Sequence, residues 1–153
     1  MSLKQQLYED MKAAIKAGDK FTLGVIRLAN AAIKHVEIAQ REHGKQEDLD
    51  DQSVIAVLNR MVKQRQDSVA LYQRAGRADL ADTEHSEIQV IERYLPPKLD
   101  ASQIDSAIQE AIAASGASGI ADMGLVMTHL KSSLAGQADM RELSVRVKKA
   151  LSR

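Results

Sequence analysis

Four histidines, His35, His43, His85 and His129, are the side chains here best suited to hold a metal or move a proton. Their spacing supports neither task. No two of them lie three or four residues apart, so the helical pairing that zinc sites use is absent. His85 stands between Glu84 and Glu87, a pattern that reads as a solvated, charged helix face. His129 falls near the end of an expected helix, where a cation interacts favourably with the dipole. With no Cys in the chain, disulfides, thiolate metal sites and cysteine nucleophiles are all excluded. No serine sits in a Gly-x-Ser-x-Gly elbow. No glycine-rich loop carries the Lys and Ser/Thr that grip a nucleotide. Gly116-Ala117-Ser118-Gly119 bears glycines, but it follows a helical pattern and not a strand. No catalytic residue, metal site or cofactor is therefore expected, and catalysis by the chain on its own is not expected.

Basic residues gather in two places. Arg60, Lys63 and Arg65 lie near the middle of one expected helix. Arg65 falls on that helix's apolar seam, where it can extend to solvent or pair with an acid of the neighbouring helix. The second group is Lys131, Arg141, Arg146, Lys148, Lys149 and Arg153, set against only Asp122, Asp139 and Glu142 after Gly116. Arg and Lys on short helices neutralise phosphates. They are equally the usual residues of a helix C-terminus. The residues alone leave both readings open.

The elements that must position these groups are helices. Hydrophobic residues make up 44% of the chain and charged residues 27%, a globular balance, while aromatics are only 3%. A core of Leu, Ile, Val, Met and Ala suits helix-on-helix packing. A first helix from about Ser2 to Ala17 carries Leu3, Leu7, Met11, Ala14 and Ile15 at helical spacing. Gly18 ends it and Asp19 caps a second, about Lys20 to Glu42, with Leu23, Ile26, Ala29, Ile33 and Val36 on a broad apolar face. After His43-Gly44 and an acidic loop, Asp50 caps a third helix with the seam Val54, Leu58, Met61, Arg65, Val69 and Tyr72. That spacing predicts a long antiparallel helical hairpin. Gly76 stops it, and a fourth helix, about Ala78 to Leu95, buries Leu80, Ile88, Ile91 and Tyr94.

The adjacent Pro96 and Pro97 remove two backbone donors and stop the fourth helix, so the boundary of two domains is placed there, 1–97 and 98–153. Three shorter helices follow. Asp100 and Gln103 open the fifth as a capping arrangement, with Ile104, Ile108, Ala111 and Ile112 as its stripe. The sixth, from Asp122 to Ser133, offers Val126, Met127 and Leu130; the seventh, from Asp139 to Leu151, offers Met140, Leu143, Val147 and Leu151. Asp122 and Asp139 are expected to cap these two. Gly124 costs about 1 kcal/mol against Ala inside a helix, which predicts a neighbour packed on its backbone and an unfolded C-terminal domain in Gly124→Leu.

The order Gly116-Ala117, Asp122-Met123-Gly124, Val126-Met127 and Gly136-Gln137-Ala138-Asp139 resembles the tail domain shared by the GatB subunit of tRNA-dependent amidotransferases and the free-standing YqeY-like proteins. Further upstream, Arg27-Leu28, Ile33-Lys34, Glu37-Ile38, Lys63-Gln64-Arg65, Gly76-Arg77, Asp79-Leu80, Glu87-Ile88 and Tyr94-Leu95-Pro96 extend the likeness to YqeY-like proteins over nearly the whole chain. The resemblance implies an all-α fold: a four-helix N-terminal part with a long hairpin, and a three-helix C-terminal part like the GatB tail, which engages tRNA. Two places depart from the family pattern. Thr128 stands where Gly is usual, and Ala135 and Gln137 flank Gly136 where two lysines are usual.

What the resemblance implies for function is a non-catalytic accessory module associated with tRNA or a tRNA-dependent amidotransferase. Lys131, Arg141, Arg146, Lys148 and Lys149 would be its tRNA contacts, shaped by turns at Gly116, Asp122, Gly124, Gly136 and Asp139. A carbon–nitrogen ligase with glutamine as amido donor is the alternative that the resemblance also carries; a protein-interaction scaffold built on the hairpin is a third. Lys+Arg and Asp+Glu both number 21, so no global field pulls the chain to nucleic acid. With no Cys, no apolar leader and no stretch of about 20 apolar residues, a cytoplasmic location without membrane partners is the expectation.

Overall fold

The computed structural model of the chain describes residues 1–134 and 137–152, and it is all-helical, with seven α-helices and no strand among them. They are α1 (Leu3–Ala17), α2 (Lys20–Glu42), α3 (Asp51–Arg74), α4 (Ala78–Glu92), α5 (Ala101–Ser115), α6 (Met123–Ser133) and α7 (Met140–Leu151), with a short 3-10 turn at Ile120–Asp122 leading into α6. The chain divides into two compact units, Met1–Leu95 and Pro96–Arg153.

Local chemistry explains where the helices begin and end. The side chains of Ser2, Asp19, Asp50 and Asp100 accept hydrogen bonds from the backbone N–H three residues on, at 3.1, 3.1, 2.8 and 2.8 Å. Each satisfies a donor that a helix start leaves unpaired. At α5 the box closes in full, since Gln103 Oε1 accepts from the Asp100 N–H at 3.0 Å. At the other ends, Gly18 (φ 68°) and Gly116 (φ 69°) take the left-handed conformation that terminates α1 and α5.

In the first unit α3 packs most extensively on α4, and α1 on α2. The shared core includes Leu7, Ile26, Ile33, Val54, Leu58, Val69, Ile88 and Ile91. Four of the six α3 seam residues, Val54, Leu58, Met61 and Val69, are buried. Arg65 on that seam pairs with the neighbouring helix: its Nε lies 3.1 Å from Glu87 Oε2 and its Nη1 donates to the Met61 carbonyl at 3.2 Å. Ile15, placed by its spacing in the α1 stripe, is instead 52% exposed. At the last turn of α1 the core has ended and Ala14 alone turns inward. The expected end of α4 at Leu95 is also shorter, with the helix stopping at Glu92 and single turns carrying the chain to Leu95.

Three polar clasps join distant parts of this unit. Glu37, the one buried charged residue of the described chain (3% exposed), accepts from Lys4 Nζ at 2.7 Å and from the Leu49 N–H at 3.1 Å. The Leu3 N–H donates to Asp51 Oδ1 at 2.9 Å. The Tyr94 hydroxyl, in the turn just beyond α4, donates to Asp10 Oδ2 on α1 at 2.5 Å. In the second unit the core is Ile104, Ile108, Ala111, Val126, Leu130, Leu134, Leu143, Val147 and Leu151, and the Leu99 N–H donates to the Gln137 carbonyl at 2.9 Å.

Burial and the neighbouring Asp10 carboxylate push the Tyr94 hydroxyl well above its ordinary value of 10.0. Burial pulls the Lys4 ammonium down, but hydrogen bonds to Glu37 and Asp48 outweigh it and leave the group raised from 10.5. Both groups hold their protons more tightly when folded, so their contribution is complete below the unfolded pKa and lost as pH rises through the folded one. Urea melts of a 1–95 fragment should therefore show a cooperative helical unit whose stability declines above about pH 10. Tyr94→Phe should flatten part of that decline. A fragment without a cooperative transition, or an alkaline slope unchanged by the substitution, would contradict this.

Candidate functional site

The basic residues of the second unit are ordered by α7. Its buried side, Leu143, Val147 and Leu151, packs into the core at spacings of four. The opposite side carries Arg141, Val145, Lys148 and Lys149, all exposed, with Val145 at 68%. At 100° per residue, Arg141, Val145 and Lys148 fall within about 60° of one another, and Lys149 lies next to them. Asp139 fixes the start of this helix by accepting from the Arg141 N–H at 2.7 Å, as expected of a cap. No ion pair among the described residues engages Arg141, Lys148 or Lys149.

Arg146 behaves differently from the others. Its Nη1 lies 3.0 Å from Asp105 Oδ1 on α5 and its Nε 3.2 Å from Glu142 Oε1. Those two carboxylates raise its pKa further. With Nε and Nη1 each held by a carboxylate, Arg146 braces α7 against α5 and is less free than its neighbours to meet a phosphate. The same three side chains, with Ile108, Val145 and Lys149, line a groove of about 480 Å³ between α5 and α7. Asp105 is the residue sequence reasoning missed here, because its partner lies 41 positions away. Lys131 is exposed in the last turn of α6.

The turn residues distribute unevenly. Gly116 closes α5, as the sequence suggested. Asp122 does not cap α6. Its Oδ2 accepts instead from the Ser118 N–H at 3.0 Å and from the Ser118 hydroxyl at 3.3 Å. The 3-10 turn brings Asp122 back over its own loop, so the carboxylate stabilises the 116–122 connection and not the helix start. Gly124 is exposed, and a Cβ built on it would meet nothing within 4 Å. The expected backbone packing is therefore corrected: Gly124 sits in the first turn of α6, on its solvent side, and its carbonyl accepts from the Thr128 hydroxyl at 2.8 Å. Gly136 and Arg153 lie outside the described residues.

Elsewhere the candidate groups stay dispersed. His35, His43, His85 and His129 are each exposed, and no three metal-ligating side chains gather among the described residues. Arg60 and Lys63 are exposed on α3, while Arg65 is committed to Glu87. Among the described residues no single helix is long and apolar enough to cross a membrane.

A family model described as Yqey-like protein matches residues 4–151. Relatives include the protein named "Altered inheritance of mitochondria protein 41, mitochondrial" from three yeasts. The Lachancea thermotolerans protein is 32% identical over 108 residues, covering 69% of this chain and 56% of its own length. The Kluyveromyces lactis protein is 30% identical over the same coverage. The Saccharomyces cerevisiae protein is 31% identical over 96 residues, covering 63% of this chain and 50% of its own length. The chain thus spans about half the length of the relatives it matches. Their mitochondrial names overturn the cytoplasmic expectation. A cysteine-free, balanced composition is compatible with many compartments and does not select among them.

Gly124→Ala should stabilise the chain by up to about 1 kcal/mol, since a first-turn helix position with open space favours alanine. Gly124→Leu should melt within a few degrees of the parent in a calorimetric scan. A loss of more than about 2 kcal/mol in either variant would restore close packing at this site.

Proposed function

The chain belongs to the YqeY-like family, and from that premise we propose that it is a non-catalytic accessory module that binds tRNA weakly, alone or beside a tRNA-dependent amidotransferase, through the exposed face of α7. The observation that carries this reading is the set Arg141, Lys148 and Lys149: three cations on one helix face with no ion pair to neutralise them among the described residues, in a chain whose formal net charge is zero. Long cationic side chains on a rigid helix are suited to phosphate oxygens, and each contact releases bound counterions. The likeness of the 116–139 motifs to the GatB tail supports tRNA as the polyanion. The departures at Ala135 and Gln137 take two charges from the sequence that precedes α7, which fits weak rather than tight binding.

Three phosphate contacts give a log–log salt slope of about −2.7 and roughly a 40-fold loss of affinity between about 50 and 200 mM salt. A mobility-shift titration with total tRNA should show a complex at the lower salt that fades at the higher. Arg141→Ala/Lys148→Ala/Lys149→Ala should remove it, whereas Lys63→Ala should not. No shift even at low salt, or a shift indifferent to the triple variant, would sink direct binding through α7.

A further inference from the structure

The second helix has two apolar sides, and only one is covered. Val25, Ile26, Ala29 and Ile33 face the core of the first unit, with Glu37 continuing that line. On the opposite side Phe21, Gly24, Leu28, Ala31, His35 and Ile38 follow one another at strict three- and four-residue steps, and every one is exposed. Phe21 is 43%, Leu28 50% and Ile38 48% exposed. Such a repeat is the seam that a helix offers to another helix. At 1.5 Å per residue it runs about 26 Å. A Cβ added at Gly24 would meet nothing, so a partner backbone can approach closely there.

One flank of this seam is charged with a single sign. Lys20, Arg27, Lys34 and Arg41 recur every seven residues, directly beside the Gly24, Ala31 and Ile38 line. None of the four takes part in an ion pair among the described residues. The other flank carries no charge: Ala32 and Ala39 border it, and Val25 on the same line is buried in the core.

We propose that the outer face of α2 is a docking surface for a partner protein's amphipathic helix, one that carries apolar residues at three- and four-residue spacing and a row of acidic side chains along one edge. The apolar seam supplies area to bury, and the basic row fixes orientation and excludes partners of like charge. A second copy of this chain, docked through its own α2, brings the apolar spacing but a basic row in place of the acidic one. Antiparallel pairing of two α2 seams sets Lys20 against Arg41 and Arg27 against Lys34, cation against cation. Parallel pairing offers the basic row only uncharged Ala32 and Ala39. A nucleic acid would use the basic row and leave Phe21, Leu28 and Ile38 in water. This surface belongs to the first unit and stands apart from the α7 reading.

The test uses the full chain and two fluorescein-labelled 21-residue helical peptides, identical in their leucine seam, one edged with Glu and one with Lys. Anisotropy titrations should show saturable binding of the Glu peptide and at least tenfold weaker binding of the Lys peptide. Leu28→Gln and Ile38→Gln should each weaken the Glu peptide by about tenfold with unchanged far-ultraviolet circular dichroism, since both side chains are already half in water. Arg27→Glu/Lys34→Glu should reverse the preference between peptides. Equal binding of both peptides, or binding indifferent to Leu28→Gln, overturns the proposal. So does a concentration-dependent dimer in sedimentation that Leu28→Gln abolishes, which would make a second copy the occupant. Retention of tRNA that Arg27→Glu/Lys34→Glu removes, in a chain that binds neither peptide, would assign the row to nucleic acid and likewise overturn it.

Discussion

The carboxylate of Glu37 sets how the first unit is assembled. It is buried on α2, one turn beyond Ile33, where an apolar residue would continue the stripe. A carboxylate in that place is costly unless its oxygens are satisfied. Lys4 from the start of α1 and the N–H of Leu49 from the loop before α3 both donate to its Oε2, at 2.7 and 3.1 Å. Lys4 also reaches Asp48 at 3.4 Å. One side chain thereby ties the beginning of α1, the last turns of α2 and the entry to α3. Rotating α2 about its axis would strand Glu37 in the core or in water without partners. The same constraint holds the Phe21–Leu28–Ile38 line facing outward.

The second unit achieves its order through shorter-range means. The Asp100–Gln103 box starts α5, Gly116 stops it, and Asp122 reaches back to Ser118 across a single 3-10 turn. Arg146 then links α7 to α5 through Asp105. The consequence for function is a division of labour among cations of one helix. Arg146 is spent on structure, and Arg141, Lys148 and Lys149 remain available on the outer face. Charge counting along the sequence treats all four alike; geometry separates them.

Features whose cause is local were legible in the sequence. Asp19, Asp50, Asp100 and Asp139 cap helices because a carboxylate just before an apolar period has a backbone N–H within reach. Gly18 and Gly116 end helices because the left-handed turn that closes a helix favours glycine. For Arg65 the seam position left two readings, extension to solvent or pairing with an acid of the neighbouring helix, and the structure selects the pair with Glu87. Features whose cause is distant were not legible. Nothing near Glu37 announces Lys4, 33 residues earlier, so its burial was missed. Ile15 fits the period of α1, yet the core does not extend to it. Gly124 looked like a packing glycine, and Asp122 like a cap, because the 3-10 turn ahead of α6 leaves no mark in apolar spacing. The outer seam of α2 was present in the sequence as a second period. It was hidden by the stronger one beside it, and only burial shows which of the two is covered.

Hydrogen exchange at the Leu49 amide is the most direct measure of the Glu37 clasp. The residue lies outside any helix, in a loop whose neighbours Glu47 and Asp48 are exposed. If the buried carboxylate holds this loop to α2, the Leu49 amide exchanges at the slow rate of core helical amides such as Ile33, and Glu37→Leu speeds it to the rate of Glu47 while Ile33 remains protected. A Leu49 amide that already exchanges with Glu47 and Asp48 in the parent chain would contradict the account, because α2 would then have no polar clasp to fix which of its faces is turned outward.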